Sequence, residues 1–556
     1  MEARKPGVDP MTLPPLDVSY EDDPRVLEQA ATEDYSLHIV PRTWRMDRRP
    51  LTMAWYAVMT AFFYLYFAAF LALAYGTTNA LIGIVLSVIV YTLVNMVIVR
   101  AASRSGLTVA LFSRSMFGFV GASIATLIFA ATAIYYTVFE GSVIAVAAQE
   151  LIGGPIKLWY GIVILLTGPL VWKGVRVWLD RLNAWLLPFY IVGMVTVVVW
   201  ALVDNGYNGF LPDAKAAAGT TLPWLQVFSA YMGVWILMMF TFDFARLAKP
   251  SDEKYHVAVT FGWLYYTLTF FVNGLLGILL VSTFDISFAD LAGQESALPV
   301  RIVSLTGVVG LALIAVTQMR INTVNLYLAS TNLQGFFSRL HLNLPRTVWV
   351  VVACGISFLL MLTNVFSYVL DALTYQGIAI VAWVAVALAH VWYLRRSSRD
   401  VEHAEFRPGR IPAFNPGGIL AWGIASAAGV ILKITDSETS QFFDVWGLLL
   451  TFVLGFGIYT VATMAAKPSW FAMSRPGDPA REVDDPREAR VRCHACDRSY
   501  IAQEMDRDPT AGHQAICAEC ATSPAFYRAS REEAKRSAPA AALKSSQAAR
   551  HEQARG

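Results

Sequence analysis

Between residues 52 and 465 the chain alternates long apolar runs with short polar breaks, and the runs have the length of bilayer-crossing helices rather than of buried strands. Their limits are about 52–75, 79–99, 120–148, 156–172, 183–203, 223–243, 256–282, 302–330, 347–364, 366–394, 417–433 and 445–465. The pattern predicts about twelve membrane helices, the ninth and tenth separated only by a short turn near Asn364. The residues before the first run are polar and end in Arg42, Arg45, Arg48 and Arg49; they read as a solvated arm without the apolar core of a signal peptide. After the last run the apolar character ends. The expected division is a cytoplasmic arm at 1–50, a transmembrane domain at 51–466, a linker at 467–490, a small module at 491–526 and a basic tail at 527–556.

Composition sharpens this picture. Of 556 residues, 56% are hydrophobic and only 15% charged, against about 25% charged in an ordinary soluble chain. The net charge of +2 averages two unlike regions: residues 467–556 carry 15 Lys+Arg and 13 Asp+Glu, a third of all charges. Basic residues then set the orientation. Arg100, Arg104 and Arg114 follow the second run; Lys173, Arg176 and Arg181 the fourth; Arg246, Lys249 and Lys254 the sixth; Arg339 and Arg346 the eighth; Arg395, Arg396 and Arg399 the tenth. The intervening loops hold Asp204, Asp213, Asp285, Asp290, Glu295, Asp436 and Glu438 instead. A multi-pass protein of the plasma membrane with both termini cytoplasmic is expected.

Inside the third run, Tyr135, Tyr136 and Glu140 interrupt a stretch that is almost wholly apolar from Val120 to Ala148. A carboxylate at membrane depth costs roughly 2.5–3.5 kcal/mol on insertion scales, so it needs a partner or an aqueous cavity. Tyr136 and Glu140 are one turn apart and share a helix face. Two readings stand. Glu140 staples two helices together, or an aromatic plate and an acceptor receive a flat ligand with a hydrogen-bonding edge. The membrane part has no phosphate-cradling glycine loop and no histidine cluster at ligand spacing, so no enzyme is expected.

Three motifs carry a resemblance. Leu107–Gly121 (LTVALFSRSMFGFVG), Asp243–Lys249 (DFARLAK) and Gln318–Ala329 (QMRINTVNLYLA) resemble, in order and at the right helices, the purine–cytosine permeases of the nucleobase–cation symporter family. The resemblance spans about residues 45–400 and implies an all-α polytopic LeuT-type fold: two inverted five-helix repeats plus two helices. It also implies a substrate site at the midplane between helices 1, 3, 6 and 8. Counting from Phe117-Gly118, the family's stacking tryptophan falls on Tyr136 and its following glutamine on Glu140. On helix 6 the family's Gly-Trp matches Gly233 and Trp235 with a one-residue slip, which makes Trp235 the opposite stacking plate or else a packing aromatic. On helix 8 Asn325 matches the substrate amide, with Asn322 and Gln318 beside it. An amide supplies both donor and acceptor to a nucleobase; an interhelical hydrogen bond is the alternative.

The departures from the family shape the expectation. Tyr136 and Glu140 in place of Trp and Gln argue against the usual cytosine or hydantoin ligand. The first helix has neither Gly nor Pro between Leu51 and Ala74, so it is expected to run unbroken where relatives expose carbonyls. In sodium-coupled relatives two hydroxyl residues stand six and five positions before the substrate asparagine. Here those positions are Met319 and Arg320, neither able to coordinate a cation. No sodium is therefore expected: Arg320 replaces its charge and Glu140 is the counter-charge, unless Arg320 snorkels toward the cytoplasm.

The tail holds a different chemistry. Cys493-His-Ala-Cys496 and Cys517-Ala-Glu-Cys520 are paired C-x-x-C turns at the spacing of a tetrathiolate zinc site. Reduced cytoplasmic thiols disfavour disulfides, and four thiolates close the coordination sphere, so the zinc is expected to be structural, in a zinc-ribbon-like module. His494 and His513 rank below the cysteines as ligands. Beyond Tyr527 the chain is Ala/Ser-rich, with Arg528, Arg531, Lys535, Arg536, Lys544, Arg550 and Arg555, and reads as disordered or loosely helical. The tail leaves room for a cytoplasmic partner; nucleic acid is not expected. The function these features imply is a permease for a nucleobase or related planar nitrogen heterocycle. The alternatives are a membrane sensor signalling through the zinc module, or an amino-acid permease on the same fold.

Overall fold

The computed structural model describes residues 13–537 apart from 212–220, 294–296, 341, 343, 364–368, 397–400 and 437–440. The expectations attached to Asp213, Glu295, Asn364, Arg399, Glu438, Lys544, Arg550 and Arg555 lie outside the described residues. Among those residues, eight helices are long and apolar enough to cross a bilayer: Thr77–Ser105, Val109–Ile152, Val175–Asn205, Pro250–Thr283, Val308–Leu340, Ala372–Arg396, Pro416–Thr435 and Phe443–Met464. Two further spans are bent pairs, Arg48–Thr60 with Phe63–Tyr75 and Pro223–Met232 with Ile236–Ala245, each turning by 43° at a short break. With the shorter helices Ile156–Leu170 and Arg346–Met361, each of the twelve predicted runs contains a helix. They are numbered 1 to 12 in chain order below. Breaks five helices apart, in helices 1 and 6, are the mark of an inverted repeat.

The break in helix 1 overturns the expectation of an unbroken span. Backbone freed inside a membrane must find partners in neighbouring helices, and here it does. The Met59 carbonyl accepts from Asn273 Nδ2 of helix 7 at 2.7 Å. Thr60 Oγ1 lies 2.8 Å from the Ala57 carbonyl and 3.3 Å from that of Thr317 on helix 8. The Phe62 N–H donates to the Gln318 amide oxygen at 3.1 Å. Helix 6 breaks at Gly233-Val234-Trp235, where the Gly233 carbonyl accepts from Gln376 of helix 10. Helix 3 kinks at Gly118, whose φ of 81° suits a residue without Cβ. The Phe119 and Val120 N–H groups beyond it donate to Pro412 and Ala413 carbonyls at 2.9 and 2.7 Å.

All five loops expected to be basic meet the terminal segments, and so lie on one face. The Arg104 carbonyl accepts from Arg487, Gly174 N–H donates to Ala31, and the Ala248 carbonyl accepts from Arg45. Arg346 donates to the Thr32 carbonyl and Arg407 to that of Met505.

The described part of the arm, residues 13–50, is packed against the rest of the chain rather than solvated as expected. Its strand β1 (Val18–Ser19) pairs antiparallel with β2 (Arg490–Arg492), which pairs with β3 (Ser499–Ile501). A second hairpin, β4 (Asp506–Asp508) with β5 (Gln514–Ile516), completes the module. The segment 467–490 is likewise packed: buried Arg475 pairs with Asp506 at 2.6 Å and Glu533 at 2.9 Å. Residues 524–537 form a helix, the second of the two alternatives for the start of the tail beyond Tyr527, and the Tyr527 ring lies 4.9 Å from Phe119.

His38 of the arm is buried against the module, stacked on Tyr500 with ring centres 4.0 Å apart. Its Nδ1 lies 2.5 Å from Glu504 and its Nε2 3.3 Å from Glu519. Burial pulls the imidazole toward neutrality, but the two carboxylates outweigh it and hold it up to about 10. Because this value lies above the ordinary one near 6.5, the stabilisation is complete below about pH 6.5 and is lost as pH rises through about 10. His38→Gln is therefore expected to lower Tm more at pH 7 than at pH 9.5, measured by thermal unfolding of the two proteins side by side. An equal loss at both values would refute the charge-paired imidazole.

Candidate functional site

The break in helix 1 creates the site. Val58, Ala61, Phe63 and Tyr64 of the broken segment face Tyr136 and Glu140 of helix 3, Val234, Ile236, Leu237 and Phe240 of helix 6, and Ile321 and Asn325 of helix 8 around one cavity. Its free volume is about 20 Å³, room for about one water molecule. A larger cavity of about 230 Å³ adjoins it at Val234, on the side away from the termini. Phe67, Phe70 and Tyr75 of helix 1, Gln226 and Ser229 of helix 6 and Phe443 of helix 12 line that outer space. The conformer is thus closed around the inner cavity, with its larger space toward the far side.

Glu140 is 1% exposed. One face of its carboxylate meets the Phe62 and Phe63 N–H groups at the helix 1 break. The Gln318 amide nitrogen donates to Glu140 Oε2, while its oxygen accepts from Phe62. That amide orientation follows from the surrounding donors and acceptors. Glu140 therefore does join helices, as one reading expected, and it also lines the cavity. Asn325 Nδ2 donates to Asn322 Oδ1 at 3.3 Å, and Asn322 Nδ2 donates to the Thr137 carbonyl at 3.4 Å, so the amides of helix 8 are tethered to helix 3.

The sequence-derived residues do not all converge. Tyr136, Glu140 and Asn325 line the inner cavity, with Gln318 and Asn322 directly behind them. Gly233 lines the outer cavity. Trp235 is placed elsewhere: its ring meets Tyr91 and Phe452 edge-on, at 6.3 and 5.5 Å, and it is absent from both cavity walls. Position on the far side of the helix 6 break turns it toward helices 2 and 12. The aromatic walls come instead from Phe63, which meets Tyr136 edge-on at 6.0 Å, and from Phe240. These phenylalanines carry no signal that distinguishes them from others in the apolar runs. Gln376, which bonds the helix 6 break, was detectable as an isolated amide in a membrane helix.

Arg320 is fully buried, so it does not snorkel. It lies near Tyr190 of helix 5, whose hydroxyl donates to Asn273 Oδ1 at 2.6 Å. Among the described residues none of its three guanidinium nitrogens bonds a protein acceptor, and Glu140 forms no ion pair with it. The expected Arg320–Glu140 counter-charge pair is not formed in this conformer.

In the module the four Sγ atoms of Cys493, Cys496, Cys517 and Cys520 lie within 4.8 Å of one another, Cys496 and Cys517 at 4.0 Å. A tetrahedral metal with sulfur ligands at about 2.3 Å places its sulfurs about 3.8 Å apart, so the donor set fits a metal. Cys517 N–H donates to Cys493 Sγ at 3.3 Å, and Cys520 N–H to Cys517 Sγ at 3.4 Å, the kind of bonding that orients thiolate ligands. His494 and His513 are turned to Asp508 and Glu533 instead.

The helix bundle, with its first and sixth helices broken around a shared cavity, has the LeuT-type fold, and together with the permease family model it matches this marks a secondary transporter rather than an enzyme. The chain belongs to the family of permeases for cytosine and purines, uracil, thiamine and allantoin, whose model matches residues 41–458. The fold is similar to that of Mhp1, a nucleobase-cation-symport-1 family transporter, in a closed conformation with bromovinylhydantoin bound: TM-score 0.57 and 15% identity, covering 78% of this chain and 97% of Mhp1. It is also similar to a sodium-coupled sialic acid symporter in a substrate-bound outward-open state, with TM-score 0.55 and 12% identity over 80% of this chain and 96% of that one. No curated protein sequence matches significantly.

Proposed function

We propose that the protein carries a nucleobase or a related planar nitrogen heterocycle across the plasma membrane by alternating access, without sodium, with both termini in the cytoplasm. The observation that carries this reading is the meeting of Tyr136, Glu140 and Asn325 on one cavity between the two broken helices. The Tyr136 ring offers a flat apolar face. Glu140 offers an acceptor for ring N–H groups, held in place by Gln318, and Asn325 offers donor and acceptor together. Tyr136, Phe63 and Phe240 line the same cavity, and these aromatic walls suit a flat ring. Family membership supports the same substrate class. The terminal module is read as a zinc site on its four thiolates.

Sodium independence rests on Arg320. A guanidinium stays charged in proteins, and this one is buried on helix 8 near the Tyr190–Asn273–Met59 chain that takes up a carbonyl of the helix 1 break. Its fixed charge replaces that of a coupling cation. Glu140, which can bind and release a proton, leaves proton-driven or facilitated uptake. In proteoliposomes, uptake of a competing heterocycle is expected to change by less than about twofold when a sodium gradient is imposed at fixed pH, whereas 1.4 kcal/mol of coupling would already give about tenfold. A steep rise with the sodium gradient would refute it. Competition by α-amino acids, with none by purines, pyrimidines, hydantoins or allantoin, would overturn the substrate class.

A further inference from the structure

We propose that the four-cysteine centre is a metal-operated lock on the terminus-side gate. A soft divalent cation bound there holds the arm across the two moving parts of the transporter, and its loss frees that side to open. The proposal rests on the alternating-access and thiolate-metal readings above.

Helix 1 packs on helices 2 and 7 and helix 2 on helix 6, while helices 3, 8 and 9 pack on one another; opening on the terminus side by rigid-body rocking separates the first group from the second. The arm is bonded to both groups. On one side Arg45 donates to the Ser103 carbonyl of helix 2 at 2.9 Å, and Arg246, at the end of helix 6, donates to the Asp34 carbonyl at 2.7 Å. On the other side Ser36 Oγ donates to Gln334 of helix 8 at 2.7 Å, and Arg346 of helix 9 donates to the Thr32 carbonyl at 2.7 Å. A segment of about a dozen residues thus ties the two groups together over the mouth that must open.

The module adds a further hold on the arm. His38 sits on Tyr500, and the Ile39 N–H donates to Glu504 Oε2 at 2.8 Å. The third contact comes from within the metal-binding turn itself: Glu519 stands between Cys517 and Cys520, and its carboxylate reaches His38 Nε2 at 3.3 Å. The module's strands are only three residues long, too short to hold a fold unaided, so metal binding supplies the order of that turn. Metal occupancy is thereby coupled to the hold on the arm through Glu519. A purely structural zinc ribbon would need no carboxylate reaching from its knuckle to the gate.

The test uses the full-length protein in lipid nanodiscs, with metal content and hydrogen exchange as readouts. Stripping with a strong chelator is expected to speed amide exchange of residues 32–45 by at least about tenfold, and zinc chloride to restore it. Glu519→Gln is expected to keep its zinc yet exchange the arm faster than the parent. That variant separates the lock from loss of the module's fold. Zinc bound with arm exchange unaffected by chelation and by Glu519→Gln overturns the lock and leaves the metal centre standing. Failure of the parent protein to bind zinc overturns both. A zinc-dependent arm in a protein that moves no heterocycle supports the lock and sinks the permease reading alone.

Discussion

Glu140→Gln is expected to lower uptake on the order of 100-fold while the protein still reaches the membrane and melts within a few degrees of the parent. The carboxylate is buried at the meeting point of helices 1, 3 and 8, where it faces the Phe62 and Phe63 N–H groups and accepts from the Gln318 amide. Hydrogen bonds to a charged group contribute about 1.5–3 kcal/mol each, and 1.4 kcal/mol is a factor of ten. The glutamine keeps the volume but sets an NH₂ group against donors, so one bond at the break becomes a repulsion. The loss falls on transport more than on folding, because the break lines the cavity while these bonds are a small part of the packing of a twelve-helix bundle. Tyr136→Ala removes one aromatic wall and is expected to weaken substrate binding by up to about tenfold, the worth of a stacking contact. Uptake kinetics unaltered in both variants would remove the cavity from consideration as the substrate site.

Replacing Cys493 and Cys517 together by Ser is expected to unfold the module and leave the membrane bundle standing. Both side chains are fully buried at the centre of the cluster. Structural zinc supplies an apparent 10–16 kcal/mol or so at neutral pH in small domains, far more than two short hairpins contribute. Metal analysis should fall from about one zinc per chain to none, and limited proteolysis should newly cut within 490–526. The helices should resist, because their packing and the bilayer hold them independently. Unchanged metal content in the double variant would rule out the tetrathiolate site.

Much of this architecture is legible along the chain. The twelve runs each contain a helix, and the alternation of basic loops matches the face on which the arm and module sit. The two C-x-x-C pairs converge as their spacing predicts. The helix face shared by Tyr136 and Glu140 lines a cavity with Asn325. Trp235 shows where such reading stops: a matched motif places a residue on a helix, but a break within two residues decides which way the ring turns. The arm shows the same limit, since its polar composition is that of a solvated segment. Its partners, Tyr500, Glu504 and Glu519, lie more than 400 residues away.

Where the chain crosses the membrane and which thiols gather can be read from short stretches of the chain. Both are local properties: a span must satisfy its own backbone bonds and be apolar over its own length, and a C-x-x-C turn brings its two sulfurs together within one turn. The break in helix 1 depends instead on contacts far apart in the chain. Nothing between Leu51 and Ala74 demands it, for there is no Gly or Pro to weaken the helix. The break is held open by Asn273 and Gln318, more than 200 residues on, which take the carbonyl of Met59 and the N–H of Phe62. A backbone bond lost inside the bilayer must be replaced from wherever a partner stands, and only the folded bundle puts those partners there.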